Sequence, residues 1–163
     1  MDQLDKDILN LLRDNARLSN AEISRRVGRA PSVIFERLRR LEGSVIRRYY
    51  ADIDPKAVDR STLGFLLVRA RAGEDIEALG QRLAASPEVL EAHYVAGEDG
   101  FLLKVSSRDC DDLLRVVQSV LGDHEGVREV RTLVALRSFK QCAPLPLDGV
   151  AVEDCAAVAA ESS

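Results

Sequence analysis

The first forty residues carry hydrophobic positions with helical spacing, which predicts three helices. The apolar stripe of the first helix, over residues 4–13, is formed by Leu4, Ile8, Leu11 and Leu12. Ile23 and Val27 follow at i, i+4 in a second, short helix. A third stripe at i, i+4, i+7 consists of Ile34, Leu38 and Leu41. We expect these three stripes to form one three-helix core.

The second and third predicted helices are joined by a tight turn. Ser19 followed by Glu22 has the spacing of a capping box, so the second helix should begin near Asn20. Gly28 stands where a helix commonly ends in a left-handed residue, and Pro31 suits the first turn of the next helix. Residues 18–41 therefore predict a helix-turn-helix.

Gly43 and Ser44 interrupt the helical pattern, and β-forming residues follow them. The segment Val45–Ile53 predicts an extended strand or wing. Such a wing places Arg47 beside the third helix, within reach of a phosphate.

From residue 61 the pattern changes to alternating strands and helices. Strands are predicted over residues 63–72, 89–96, 101–106 and 127–139, and helices over residues 76–85 and after Asp109. The order βαββαβ is that of a ferredoxin-like sandwich. Two helices should cover one face of its sheet. Leu, Val and Phe residues on the other face indicate burial against a second subunit.

These patterns predict an α+β chain with two domains. Residues 1–51 form a winged helix-turn-helix, 52–61 a linker, 62–141 the ferredoxin-like domain and 142–163 a tail. The tail has no Lys or Arg and is rich in Ala, Val and acidic residues, which favours a flexible end. A short helix over residues 152–160 that packs on a partner is the alternative.

Charge is distributed unevenly and points to a partner. The net charge is −4, yet residues 17–48 hold nine Arg and three Glu, while residues 51–163 hold twelve basic and twenty acidic residues. A basic patch on an acidic protein is typical of contact with a phosphate backbone. We therefore expect double-stranded DNA as a partner. The alternative is a solvated helical hairpin with surface Arg side chains.

Candidate DNA contacts lie opposite and beside the buried stripe of the third helix and around the turn. Glu36 has two possible roles, acceptance of a hydrogen bond from a cytosine amino group or an intrahelical pair with Arg39 or Arg40. Arg37 lies near the edge of the stripe and should pair with Asp5 or Asp7. The predicted DNA-contact residues are Asn20, Arg25, Arg26, Arg29, Ser32, Val33, Glu36, Arg39, Arg40 and Arg47.

Other chemistry has little support in the sequence. Three widely spaced Cys and two His predict reduced thiols and no metal site, and we expect no cofactor and no catalytic residues. His93 is interpreted as a packing residue of a strand, and Tyr94 as a core or interface residue. No apolar run is long enough to cross a membrane, and the chain begins without a signal-peptide pattern, so we expect a cytoplasmic protein.

Four motifs carry a resemblance that covers residues 3–141: LDKDILNLL from Leu4, SNAEISRRVG from Ser19, APSVIFERLRRLE from Ala30 and VAGEDGFLLKV from Val95. The chain resembles the Lrp/AsnC (feast/famine) family of bacterial and archaeal transcription regulators. The resemblance implies an N-terminal winged helix-turn-helix and a C-terminal ligand-sensing domain. It implies dimers formed through the sheets, assembling into tetramers or octamers, and a small effector, usually an amino acid, in a cleft between C-terminal domains.

Two positions depart from the family pattern. The passage Leu41–Ile46 is one residue shorter than the usual Leu-x-x-x-Gly-x-Ile, which shifts the wing or ends the helix one residue early. The family favours Gly-x-x-Asp before an aromatic residue, whereas Gly100 stands at the Asp position here. A turn with Gly offers backbone N–H groups to a ligand carboxylate, and Asp99 or Glu98 is left to pair with its amino group. The predicted effector residues are Gly97, Glu98, Asp99 and Gly100.

The sequence thus predicts an effector-responsive DNA-binding regulator and not an enzyme. One alternative is a DNA-binding or architectural protein without an amino-acid effector. Another is a decarboxylase of tetrapyrrole synthesis, since some proteins that resemble this family have lost DNA binding. For that activity His93 is the one candidate acid or base.

Overall fold

The computed structural model describes residues 1–97, 100–122, 125–141 and 146–147. These residues form two compact units, which divide between Ala51 and Asp52. No helix in the described ranges has both the length and the apolar character that crossing a membrane requires.

The first unit consists of three helices: α1 (Gln3–Asp14), α2 (Asn20–Val27) and α3 (Pro31–Ser44). The α1 helix begins at a reciprocal capping box, in which the Asp5 N–H donates to Asp2 Oδ1 at 2.9 Å and the Asp2 N–H donates to Asp5 Oδ2 at 3.1 Å. The predicted apolar stripes meet in one core, whose fully buried centre is Ile8, Ile23 and Ile34. The expected three-helix core is present.

The predicted wing strand is wrong. The α3 helix continues through Gly43 to Ser44, and residues 45–54 contain no strand. The N–H groups of Val45 and Ile46 both donate to the carbonyl of Leu41 at 2.7 Å, so the chain first folds back on the helix end. The hydroxyl of Tyr49 donates to Glu42 Oε1 at 3.0 Å. A strand needs a paired neighbour, and no described part of the chain pairs with this segment.

The second unit has the βαββαβ order. Its elements are β1 (Thr62–Ala70), α4 (Ile76–Ala84), β2 (Val89–Tyr94), β3 (Phe101–Ser107), α5 (Cys110–Gly122) and β4 (Val127–Val134). The antiparallel sheet has the order β2-β3-β1-β4, which confirms the ferredoxin-like prediction. A 3-10 helix, Pro55–Val58, lies in the stretch predicted as a linker.

One face of this sheet is covered by the two helices, and the other face is open. Alternate residues of β1 and β3 turn to the helices and are buried, among them Leu66, Val68, Leu103 and Val105. The intervening residues form the open face, which carries an apolar stripe of Leu63, Phe65, Leu67, Leu102 and Leu133. An ion pair between Lys104 and Glu91, 2.8 Å long, borders this stripe.

The last strand is shorter than predicted. The sequence predicts it to residue 139, whereas β4 ends at Val134. The N–H of Ala135 donates to the carbonyl of Leu63, and β1 begins one residue before Leu63. Beyond this point the strand has no neighbour to pair with, and Leu136 and Phe139 are almost fully exposed. Of the tail, Leu147 packs against the first core. The alternative helix over residues 152–160 lies outside the described residues.

Gly64→Ala should destabilise the second unit. A Cβ at Gly64 would lie 2.9 Å from Leu113 Cδ1 and 3.1 Å from Val105 Cγ2, both inside the packed core. We expect a loss of about 1–3 kcal/mol in the free energy of unfolding, measured by urea unfolding of the full chain with a probe in this unit. Gly122→Ala is the matched control, because a Cβ there meets no atom within 4 Å. Equal stability of the two variants would contradict the packing assigned to Gly64.

Candidate DNA-binding surface and effector turn

The helix-turn-helix begins at a capping box on α2. The Ser19 N–H donates to Glu22 Oε2 at 3.1 Å, and the Glu22 N–H donates to Ser19 Oγ at 3.3 Å. The backbone N–H of Ser19 holds the pKa of the Glu22 carboxyl below its usual value. The start of α2 predicted from this spacing is confirmed.

The turn between α2 and α3 is held by bonds within a few residues. Gly28 ends α2 in the left-handed region, at φ +67°, where a side chain is strained. The N–H groups of Gly28 and Arg29 both donate to the Ser24 carbonyl, at 2.9 and 3.2 Å. The buried Ser24 hydroxyl in turn donates to the carbonyl of Arg29. Pro31 then opens α3, as predicted. The direction of α3 relative to α2 is therefore fixed by a three-residue turn.

A buried carboxylate joins α1 to α3. Asp5 is fully buried, and its carboxylate accepts from Arg40 Nη2 at 2.5 Å and from Arg37 Nη1 at 3.2 Å. Arg37 Nη1 also donates to Asp2. Burial of a carboxylate is costly unless it is paired, so Asp5 binds the flank of α3 that carries Arg37 and Arg40. We call these four residues the Asp5 cluster.

The pKa values in the Asp5 cluster follow from this pairing. Burial alone raises the pKa of Asp2, but the N–H of Asp5 and the guanidinium of Arg37 outweigh burial and hold that pKa below its usual value. The hydrogen bond to Asp2 raises the pKa of Arg37. Each partner thus stabilises the charged form of the other.

All ten predicted DNA-contact residues are exposed. Asn20 begins α2, and Arg25 and Arg26 lie in its last turn. Arg29 lies in the turn, and five of the residues belong to α3: Ser32, Val33, Glu36, Arg39 and Arg40. Arg47 lies in an irregular segment after α3, because the strand that was predicted to hold it beside α3 does not form.

The ion pairs of α3 show which partners Glu36, Arg37 and Arg40 have in the structure. Within the described part of the chain Glu36 makes no ion pair, so the intrahelical pair with Arg39 or Arg40 is not formed. Arg37 pairs with Asp5, as predicted. Its second partner is Asp2, and it forms no pair with Asp7, the other acid considered. Arg40 is held by Asp5 although about half its side chain is exposed. The sequence did not predict this second partner of Asp5.

The effector turn joins β2 to β3. The Val95 N–H donates to the Gly100 carbonyl at 2.7 Å, and Gly97 and Gly100 adopt φ +141° and +87°. A Cβ on Gly100 would lie 3.4 Å from the Val68 carbonyl oxygen, so the backbone of Gly100 approaches β1 closely. Glu98 and Asp99, the other two predicted effector residues, lie outside the described residues.

Three residues beside this turn, Phe101, Tyr94 and His93, differ in how far they are buried. Phe101 is buried in the core, and its ring lies 5.2 Å from the ring of Tyr94. His93 is mostly exposed, so the packing role predicted for it is wrong. Tyr94 is also mostly exposed, so it is not a core residue, and its assignment to an interface stays a prediction. His93 Nε2 lies 3.5 Å from a Glu91 carboxylate oxygen. Alternate strand residues face opposite sides, and the apolar pattern did not reveal which side of β2 is covered.

An exposed basic surface on a helix-turn-helix, together with a separate ferredoxin-like unit, defines a DNA-binding regulator with a sensor domain. Residues 1–44 match the family model of a winged helix-turn-helix DNA-binding domain. Residues 63–145 match the family model of the Lrp/AsnC ligand binding domain. The chain belongs to the Lrp/AsnC family of transcriptional regulators.

Individual relatives agree with this assignment. The chain is 32% identical over 148 residues to the HTH-type transcriptional regulator FL11 of Pyrococcus horikoshii, covering 90% of this chain and 97% of the relative. It is 35% identical to the leucine-responsive regulatory protein of Salmonella typhimurium, covering 86% and 88%. It is similar in structure, with a TM-score of 0.84, to a transcriptional regulator from Neisseria meningitidis solved as a complex with L-Met. That similarity covers 91% of this chain and 97% of the other at 31% identity.

Asp5→Asn should loosen the first unit. The substitution keeps the shape of the side chain but removes the charge that Arg37 and Arg40 share. We expect the free energy of unfolding of this unit to fall by about 2 kcal/mol. This is less than the usual cost of breaking a buried ion pair, because both Arg side chains are partly solvated. Hydrogen exchange of peptides from α1 and α3 in the full chain measures this effect.

Asp7→Asn is the matched control for this prediction. Asp7 lies on the same helix, and its carboxylate accepts a surface hydrogen bond from Gln3. Its substitution should leave exchange in α3 unchanged. The same exchange rates in both variants would contradict the role of Asp5 in holding α3.

Proposed function

We propose that this chain regulates transcription by inserting α3 into the major groove of DNA, and that a small effector modulates its binding. The observation that carries the proposal is the separation of charge within the first unit. The acidic side chains of the Asp5 cluster are turned to the flank of α3, while Arg25, Arg26, Arg29 and Arg39 remain exposed.

The exposed residues divide into two roles in this proposal. Arg25, Arg26 and Arg29, at the end of α2 and in the turn, contact phosphates and set the position of the protein on the duplex. Ser32, Glu36 and Arg39, opposite the buried stripe of α3, face the base edges. Arg40 serves chiefly to neutralise Asp5, Arg47 and Asn20 contribute to the phosphate contacts, and Val33 lies at the border of the base-facing set.

We propose a homodimer as the working form in the cytoplasm. The open face of the sheet carries a continuous apolar stripe of five residues on three neighbouring strands. Burial of this stripe against the same stripe of a second copy removes it from water and brings two α3 helices to one DNA site. Two copies related by a two-fold axis read a pseudo-palindromic site. Assembly into tetramers or octamers stays a prediction from the family.

We propose an amino acid as the effector, bound at the turn between β2 and β3. Two solved relatives contain this class of ligand: the regulator from Neisseria meningitidis holds L-Met, and a feast or famine regulatory protein from M. tuberculosis was complexed with L-Methionine. Gly97 and Gly100 carry no side chain and have positive φ angles, which supports the approach of a ligand carboxylate to backbone N–H groups at this turn. The effector changes DNA binding to the extent that it binds one state of the assembly more tightly than another.

Arg39→Ala should lower the affinity for a specific duplex by about 5- to 150-fold, because it removes a contact to a base edge. The measurement is a fluorescence-anisotropy titration at two salt concentrations, using a duplex selected by the protein from a random-sequence pool. Arg128→Ala is the charge-matched control, because Arg128 is exposed on β4 in the second unit. Equal affinity of the two variants would show that Arg39 does not face DNA.

Gly100→Ala should weaken amino-acid binding about tenfold or more, since an Ala is strained at φ +87° and its methyl group would lie 3.4 Å from the Val68 carbonyl oxygen, which displaces the turn that a ligand carboxylate approaches. Isothermal titration with a panel of amino acids, beginning with L-methionine, measures this affinity. Gly73→Ala is the control for backbone strain: Gly73 has φ +83°, close to that of Gly100, but lies between β1 and α4. A similar loss in both variants, or no binding of any amino acid to the parent chain, would contradict the effector site.

A further inference from the structure

Phe35 is a large apolar residue that belongs to neither hydrophobic core. It lies on α3, the proposed recognition helix, and the residue is 54% exposed. The buried stripe of α3 passes through Ile34, Leu38 and Leu41, so Phe35 stands beside this stripe and not within it. Phe35 is not among the DNA contacts predicted from the sequence.

The Asp5 cluster shows which flank of α3 remains available for contact with DNA. Arg37 and Arg40 share one flank, and both are bound to α1 through Asp5 and Asp2. Phe35 lies on the opposite flank. Ser32 and Arg39 are its neighbours at i−3 and i+4, so these three side chains form one continuous patch on the helix surface. Two of the three are proposed base contacts.

Position along the helix favours the same surface. Phe35 is the fifth residue of α3, counted from Pro31. The N-terminal part of a recognition helix is the part that reaches base edges in the major groove. There the 5-methyl group of thymine is the one apolar feature among the base edges, and Phe is a side chain that contacts it.

We propose that Phe35 reads thymine by packing its ring against the 5-methyl group in the major groove. This inference rests on the proposed function, because it requires α3 to lie in that groove. Two exposed Arg side chains, Arg39 within the patch and Arg29 in the turn before α3, supply the charge that draws this face to DNA. An exposed aromatic residue is thereby buried only in the complex.

The test compares two forms of one duplex, selected by the protein from a random-sequence pool. One form contains thymidine and the other contains 2′-deoxyuridine at every thymidine, which removes only the methyl groups. The wild-type chain should bind the thymidine form about fourfold more tightly for each methyl group contacted, and about 15-fold for two half-sites. Phe35→Ala should bind the thymidine form more weakly and lose this preference. Phe35→Leu, which stays apolar, should retain part of it.

Leu114→Ala is the matched control. Leu114 is exposed to nearly the same extent, 55%, but lies on α5 in the second unit, so this variant should keep the full thymidine preference. A wild-type chain that binds both forms equally, or a Phe35→Ala variant that keeps the preference, would overturn the inference and leave the proposed function standing. A wild-type chain that binds no duplex would overturn both.

Discussion

The geometry of the DNA-binding unit depends on one buried carboxylate. Asp5 is shielded from water and has two guanidinium partners on α3. A buried charge is tolerated only where its partners keep good geometry, so α1 and α3 cannot shift past one another without exposing or unpairing it. The apolar core supplies most of the free energy of the three-helix packing. Asp5 adds a directional constraint, which decides the face of α3 that remains for a partner.

This constraint changes how the basic residues of the first unit are understood. By composition all nine Arg of residues 17–48 are equal candidates for DNA. In the structure two of them, Arg37 and Arg40, neutralise acids of α1. Of the other seven, all exposed, Arg25, Arg26, Arg29 and Arg39 lie at the end of α2, in the turn and on α3, while Arg17, Arg47 and Arg48 lie outside the helix-turn-helix pair. The surface that we propose to meet a duplex is therefore narrower than the sequence suggests, and it includes the exposed ring of Phe35.

Features set by local chemistry were predictable from the sequence, and features set by tertiary pairing were not. The capping box at Ser19, the left-handed Gly28 and the βαββαβ order follow from short-range patterns and are all present. The strand over residues 45–53 is absent because β-forming residues make a strand only beside a partner. The bond from Arg40 to Asp5 was missed although the bond from Arg37 to Asp5 was predicted. Helical periodicity placed Arg40 on the exposed flank of α3 and did not show that one buried carboxylate takes two partners. The effector turn was located by resemblance alone, and its ligand was not specified by any residue pattern.

We propose that α3 occupies the major groove at two half-sites. Dimethyl sulfate footprinting on a duplex selected by the full chain tests this placement, because the reagent methylates guanine N7 in the major groove and adenine N3 in the minor groove. We expect protection of guanine N7 in two patches about 10 base pairs apart, or a multiple of that distance. Protection of adenine N3 without protection of guanine N7 would contradict it.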